Sequence, residues 1–408
     1  MWEVIKANQR KSMALFVVMT AVLVGLGFII GYAYDPEGGG AFAGMAIAAI
    51  IMIIMSLISI KSGSKIMLAA SNAKEVTPEV HPQLFNVVEE MRIAAGIPKM
   101  PKVYIINTDA PNAFATGMSP DNAAVAVTAG LLARLNRDEL QGVIAHEMSH
   151  ITNRDIRFMT IAGVMLGSIV IIAEIFLRSL WITGGRSRNS NSGGNQGQII
   201  IMLIAMVFAI LAPIMAQLLY FAISRKREYL ADASAVRLTR YPEGLASALE
   251  KISGNTAEMP MANRVTAPMY IANPLKQKGM KMADLTSTHP PISERIRILR
   301  AMSGGAGFVN YQQAYKNVTG KDKTIIPESE INTQDSAGLR EGTGMAAFAD
   351  PKTTTRSSHD IMMMVDKYTF INCNCGMKIK LKPTNTKNQP MFATVLLYMR
   401  PNIFGHQK

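Results

Sequence analysis

His146, Glu147 and His150 close the run Leu140-Gln-Gly-Val-Ile-Ala-His-Glu-Met-Ser-His150. On a helix, positions i and i+4 share one face, so both imidazoles can reach a single metal ion. Glu147 stands beside the first imidazole, where it can poise a water molecule. This is the H-E-x-x-H spacing with which a zinc ion and a carboxylate hydrolyse peptide bonds. Two satisfied histidines on a surface helix would be the plainer reading. The chain has only six His, which makes their placement around a Glu a specific signal.

Two histidines do not complete a catalytic zinc site, which usually takes three protein ligands and leaves a position for water. The third could be His, Glu or Asp. An H-E-x-x-H-x-x-G-x-x-H set is excluded, because Ile-Thr-Asn-Arg-Asp155 follows His150, and the next His is His289. Glu228-Tyr-Leu-Ala-Asp232 offers a carboxylate on another helix, with a second acid one turn on. Glu228 is the better candidate for third ligand. Asp232 is the candidate to accept the far N–H of a ligand imidazole and fix its tautomer. The same acids also fit an ordinary charged helix face with i,i+4 pairs.

The elements that must carry these groups follow from patterning. Asn136 and Glu139 form a capping box for the metal helix. Pro82–Ala95 is expected as an amphipathic helix with Leu84, Val87, Val88 and Met91 inward. Residues 102–106 and 123–127 are expected as strands, and Leu131–Leu135 as a helical turn. Glu228–Arg240, Leu245–Ile252 and a stretch from His289 to about Met302 are expected as helices.

The chain of 408 residues is 49% hydrophobic and 17% charged, with a positive mean hydropathy. That balance points to a membrane protein. Four apolar segments stand out: Met13–Tyr34, Ala41–Ile60, Phe158–Ile182 and Ile199–Ile223. A cleaved leader is excluded by the second segment, which follows the first at once. The third holds Glu174 and Arg178 on one face, expected as an internally paired couple or as the mark of a segment that dips in without fully crossing, in preference to a polar path to the active site. The net charge of +13 lies in basic flanks, among them Lys61, Lys65 and Arg225–Arg227, which place those flanks in the cytoplasm. No basic stripe interleaved with aromatics suggests nucleic-acid binding. The two cysteines, Cys373 and Cys375, are too few for a four-ligand structural zinc site, so one zinc ion per chain is expected.

The expected organisation is a transmembrane hairpin at 1–65 and a catalytic domain at 66–302 interrupted by a second hydrophobic hairpin (158–223). A linker at 303–358 and a small β-rich module at 359–408 follow. The module is expected as a hairpin over Tyr368–Lys382.

Several runs, taken together, are more specific than any one of them. Pro111-Asn-Ala-Phe-Ala-Thr-Gly117, Val127-Thr-Ala-Gly-Leu-Leu132, Asn153-Arg-Asp155, Arg227-Glu-Tyr-Leu-Ala-Asp232 and His289-Pro-Pro-Ile-Ser-Glu-Arg-Ile296 surround the motif. In this order, over about residues 1–300, the chain resembles the HtpX-type membrane zinc proteases, relatives of the CAAX prenyl endoproteases. The resemblance implies a mainly α membrane protein with an α+β, zincin-like catalytic domain of the Glu-zincin type. It implies Glu228 as third zinc ligand and Asp232 behind a ligand His. Asn112, Ala113 and Phe114 belong to an edge segment that would hold substrate backbone, and His289 or Arg295 would line the site. Glu147 would be the general base for a zinc-activated water. The substrates would be unfolded or misassembled membrane proteins, cleaved in quality control at the cell (inner or plasma) membrane. The alternatives are a zinc-binding scaffold without activity, against which Glu147 speaks, and a metal transporter, for which the spans offer only Glu174.

Overall fold

The structure is a computed structural model. It describes residues 2–35, 37–184, 196–222, 224–255, 257–262, 266–274, 290–326, 338–342, 358–366, 369–372 and 378–381. The chain divides into two units, Met1–Met362 and Met363–Lys408.

The first unit opens with two long helices, α1 (Trp2–Tyr34) and α2 (Gly40–Ala70). They pack backbone to backbone, because a Cβ on Gly44 would stand 2.2 Å from the Gly27 carbonyl oxygen. Small residues allow such approach where lipid offers no hydrophobic drive. After residue 154 the chain re-enters the apolar layer as α6 (Asp155–Gly184) and returns as α7 (Gln196–Ala222). Among the described residues, three helices are long and apolar enough to cross a membrane: Phe16–Tyr34, Gly40–Ala70 and Asp155–Ser179. The fourth expected segment is helical but qualifies only as a shorter apolar stretch, Met202–Ala216, with Pro213 inside it. Glu174 and Arg178 are both exposed on α6. The enclosed pair expected from their spacing does not form, because the face that carries them turns away from the helix bundle. The Gly/Asn-rich loop after α6 lies, for residues 185–195, outside the described residues.

Between the two hydrophobic hairpins lies a four-stranded sheet of order β1-β2-β4-β3. Its strands are β1 (Ala73–Glu75), β2 (Lys102–Ile106), β3 (Ala113–Thr116) and β4 (Ala124–Thr128). β2 and β4 run parallel, and β3 pairs antiparallel with β4 at the edge, Ala113 opposite Val127. Helix α3 (Pro82–Ala94) buries Leu84, Val87, Val88 and Met91, as its periodicity predicts. The short α4 (Ala129–Arg134) leads into α5 (Arg137–Thr152), which starts at the expected capping box of Asn136 and Glu139. Residues 138–151 of α5 are all buried. A Cβ on Gly142 would sit 2.7 Å from the Leu245 backbone nitrogen, so the glycine lets α9 (Pro242–Ser253) lie directly on α5. Helix α8 (Ser224–Thr239) crosses α5 next to it, and α10 (Ile292–Arg300) closes the cluster.

The polar stretch after Met302 does not remain outside this core, as a linker would. Phe308–Thr319 forms α11, with Tyr311 and Tyr315 buried. The Tyr315 ring meets Tyr229 of α8 edge-on at 5.2 Å. Composition hides this helix, because its apolar residues are few and only their spacing is amphipathic. Farther on, the Arg340 guanidinium donates to Asp138 Oδ1 at 2.9 Å, to Gln141 Oε1 at 2.6 Å and to the Thr239 carbonyl at 2.9 Å. One side chain therefore joins the start of α5 to the end of α8. A chain ended after residue 305 should lose at least about 3 kcal/mol of stability, the scale of deleting one buried aromatic. A chain ended after residue 366, beyond the buried Ile361, should melt close to the full-length protein. Thermal unfolding of both truncations checks this; an unchanged melt for the shorter chain would return α11 to the status of an accessory segment.

In the second unit, β5 (Thr369–Asn372) and β6 (Lys378–Leu381) pair antiparallel, Thr369 opposite Leu381, within the hairpin expected over Tyr368–Lys382. Cys373 and Cys375 lie outside the described residues.

Candidate metal centre

Helix α5 delivers His146 and His150 to the same side, one turn apart, and α8 brings Glu228 against both. His146 Nε2 lies 3.6 Å from Glu228 Oε2, and His150 Nε2 lies 3.5 Å from Glu228 Oε1. The two Nε2 atoms are 3.2 Å apart. One donor atom from each of the three residues falls within 4.8 Å of the others, and all three residues are buried. Two imidazole nitrogens and one carboxylate oxygen are the donor set of a catalytic zinc site.

The far side of each imidazole is fixed. His146 Nδ1 stands 2.9 Å from Asp232 Oδ1, and His150 Nδ1 stands 3.2 Å from Asp155 Oδ2. An Nδ1–H donated to a carboxylate leaves Nε2 with its lone pair for a cation. Burial works against a charge on His146, but Asp232 and Glu228 outweigh it and raise its pKa to about 9.

Asp232 is itself held by Arg295 of α10. Arg295 donates to Asp232 from Nε at 2.8 Å and from Nη2 at 2.7 Å, and from Nη1 to the Ile271 carbonyl at 3.1 Å. Burial opposes the Asp232 charge, but Arg295 and His146 more than offset it and leave its pKa lowered. Arg295 is fully buried. Its Nη1 also stands 3.6 Å from Glu228 Oε2, and its Nη2 3.5 Å from His146 Nδ1, so Arg295 lines the candidate metal site, as expected, and holds Asp232 there. His289 lies outside the described residues.

Glu147 is 1% exposed, and its pKa is raised first by burial; His146 and His150 pull it down and Glu228 pushes it up. The backbone amide of Ala115 also reaches this carboxylate. The edge strand β3 therefore passes directly beside Glu147. Its first residues are not open. Asn112 donates from Nδ2 to the Ala272 carbonyl at 2.8 Å and accepts from the Ala272 amide at 3.3 Å. The Ile271 amide donates to the Ala113 carbonyl at 2.9 Å, and the Phe114 ring meets Tyr270 at 5.1 Å. Asn112, Ala113 and Phe114 are thus engaged by the chain's own segment 270–272. The physical reason is the edge itself, whose buried backbone groups require partners.

A family model described as peptidase family M48 matches residues 78–303, more than half of the chain. The chain belongs to peptidase family M48. Relatives named protease HtpX homolog agree. That of Dictyoglomus thermophilum is 46% identical over 301 residues, covering 74% of this chain and 94% of the relative. That of Listeria monocytogenes serotype 4a is 46% identical over 312 residues, covering 74% and 100%. A crystal structure of S. mikatae Ste24p aligns with a TM-score of 0.37 at 19% identity, over 72% of this chain and 66% of that one. This M48 member is a metallopeptidase, a hydrolase, with candidate membrane helices.

Sequence reasoning left one residue in contact with the candidate metal centre without a role. Asp155 opens α6 and holds His150 as Asp232 holds His146, with Arg227 Nη1 at 3.9 Å behind it. The signal was present in Asn153-Arg-Asp155, five residues beyond the second histidine. No helical periodicity joins it to His150, because α5 ends between them.

Proposed function

We propose that this M48 member is a membrane-embedded, zinc-dependent endopeptidase that cleaves unfolded or misassembled membrane proteins, with its catalytic domain facing the cytoplasm. The convergence of His146, His150 and Glu228 beside a buried Glu147 carries the reading. These three residues would hold the ion. Zinc in such a site supplies Lewis acidity, lowering the pKa of water towards neutrality and polarising the scissile carbonyl. Glu147 takes the proton from the attacking water and delivers it to the leaving amine, a role its raised pKa suits. Asp232 and Asp155 keep both Nε2 atoms turned to the ion. An extended peptide would bind beside β3, next to Glu147, as an added strand. Strand addition of this kind gives affinity with little sequence preference, which suits substrates recognised by being unfolded.

The test is metal analysis of the purified chain together with cleavage of casein, with and without a chelator. About one zinc per chain and chelator-sensitive cleavage are expected. Cleavage that survives complete zinc removal would reject the mechanism.

Orientation follows from the basic flanks. Lys61, Lys65 and Arg225 are exposed at the ends of the apolar helices next to the catalytic domain. Lysine and arginine accumulate on the cytoplasmic side. In a chain with Cys373 and Cys375 replaced by Ser, a cysteine introduced by Lys99→Cys, an exposed position, should react with an impermeant maleimide only after cells are permeabilised. Labelling in intact cells would reverse the topology.

A further inference from the structure

Where α1, α2 and α6 meet the catalytic domain there is a cavity of about 600 Å³. Its long wall is apolar and comes from three membrane helices: Phe16 of α1, Ile60 of α2, and Met165 of α6 among others. Its other end is formed by Asn153, Arg154 and Arg157, where α5 gives way to α6. Asn153 is 2% exposed, and its side-chain Nδ2 has no hydrogen-bond partner among the described residues. Arg154 holds φ at 59°, a left-handed conformation that costs a non-glycine residue energy. Arg154 and Arg157 are exposed, and among the described residues neither guanidinium is paired with a carboxylate.

We propose that this cavity binds one anionic phospholipid, its acyl chains along α1, α2 and α6 and its phosphate on Arg154, Arg157 and the Asn153 amide. Depth argues for a lipid. Met13 of α1, Ile60 of α2 and Arg157 of α6 meet in this one cavity, and the exposed Arg10, Lys61 and Lys65 follow within a few residues of them in the chain. Basic pockets between membrane helices recognise anionic headgroups. Guanidinium groups match phosphate in charge and geometry. Charge argues for an anionic rather than a zwitterionic lipid. Asp121 also lines the cavity, but two guanidinium groups stand against it, and Asp155 is engaged by His150 and faces Arg227. A peptide in the same space would bring backbone amides and carbonyls against a wall that offers them few partners. Because Asp155 lines the cavity and holds His150, lipid occupancy bears on the ring that faces Glu228. The site itself is independent of the peptidase reading.

The experiment is native mass spectrometry of the full-length chain in detergent, after addition of phosphatidylglycerol, phosphatidylcholine or inorganic phosphate. The wild type should keep one phosphatidylglycerol per chain under conditions that strip phosphatidylcholine, and inorganic phosphate should not displace it. In the double variant Arg154→Gly/Arg157→Gln, retention should fall on the order of tenfold or more, with zinc content unchanged. Glycine suits the φ of position 154, so this variant keeps the backbone. Ile161→Trp, which fills the cavity from its apolar side, should lose retention with both arginines present and decides the matter if the double variant is unstable. Equal retention of both lipids, or full retention in the filled variant, would overturn the proposal. So would a photoreactive group at position 161 that labels casein in preference to lipid, which would make the cavity a substrate path.

Discussion

Glu147→Gln is expected to keep its metal and lose turnover by about 10²–10⁴-fold, the usual cost of a lost general base. The substitution preserves size and removes only the proton-accepting function. Glu147 is not among the three residues whose donor atoms converge, so zinc content should stay near one per chain. Glu228→Gln should do the reverse. It removes a charged donor placed 3.5 and 3.6 Å from the two imidazoles, so affinity falls and excess zinc partly restores activity. Asp232→Asn should lie between, with metal affinity or activity reduced roughly 10- to 100-fold, as for other residues that orient a ligand imidazole. Metal content measured beside activity in all three variants separates the roles. If Glu147→Gln lost its zinc while Glu228→Gln kept a full equivalent, the assignment of base and ligand would be wrong.

Arg295→Met should cost about 3–5 kcal/mol of folding stability, the range seen when one partner of a buried ion pair is removed. Arg295 and Asp232 are both fully buried, and two hydrogen bonds join them. Without the guanidinium, Asp232 keeps only His146 as a charged partner, and the Ile271 carbonyl loses its donor. The pH dependence has a definite sign. The folded-state pKa of Asp232 is lowered. Its stabilising contribution is therefore present above the unfolded carboxylate value, about 3.9, and is lost as pH falls through the folded value. Removing Arg295 raises the folded value, so acid unfolding of the variant should begin at a higher pH. Melting temperature against pH measures both effects. A variant that melts like the wild type from neutral to acid pH would show that Arg295 does not hold the site together.

Much of this architecture is legible in the sequence because the signals are local. The capping box, the i,i+4 histidines, the amphipathic α3 and the alternating Ile379 and Leu381 of β6 each lie within one element, where period and spacing decide. Glu228 and Asp232 are legible for the same reason, one turn apart on one helix. What was not legible depends on pairs far apart in the chain. The clamp of Asn112 on Ala272 spans 160 residues, and no local pattern marks Ala272 as the partner. The bond of Arg295 to Asp232 spans 63 residues, so its place at the site was legible by resemblance, but the acid it holds was not. Helix α11 was hidden by polar composition, although its buried Tyr311 and Tyr315 are a helical turn apart. Membrane depth is another such case: Glu174 and Arg178 share a face by spacing, but which way that face turns is set by packing.

Arg340 gives this chain an order of assembly. Ribosomes release a protein from its first residue onward, and a domain completes itself only when its last contributing segment is free. The metal-binding helices are made by residue 239, yet the side chain that joins their ends comes about a hundred residues later. Its bond to Asp138 spans 202 positions, a closure that forms late because the intervening chain must first be ordered. The four apolar helices are complete by residue 222, so the Arg340 tie between α5 and α8 is available only after all of them have been made.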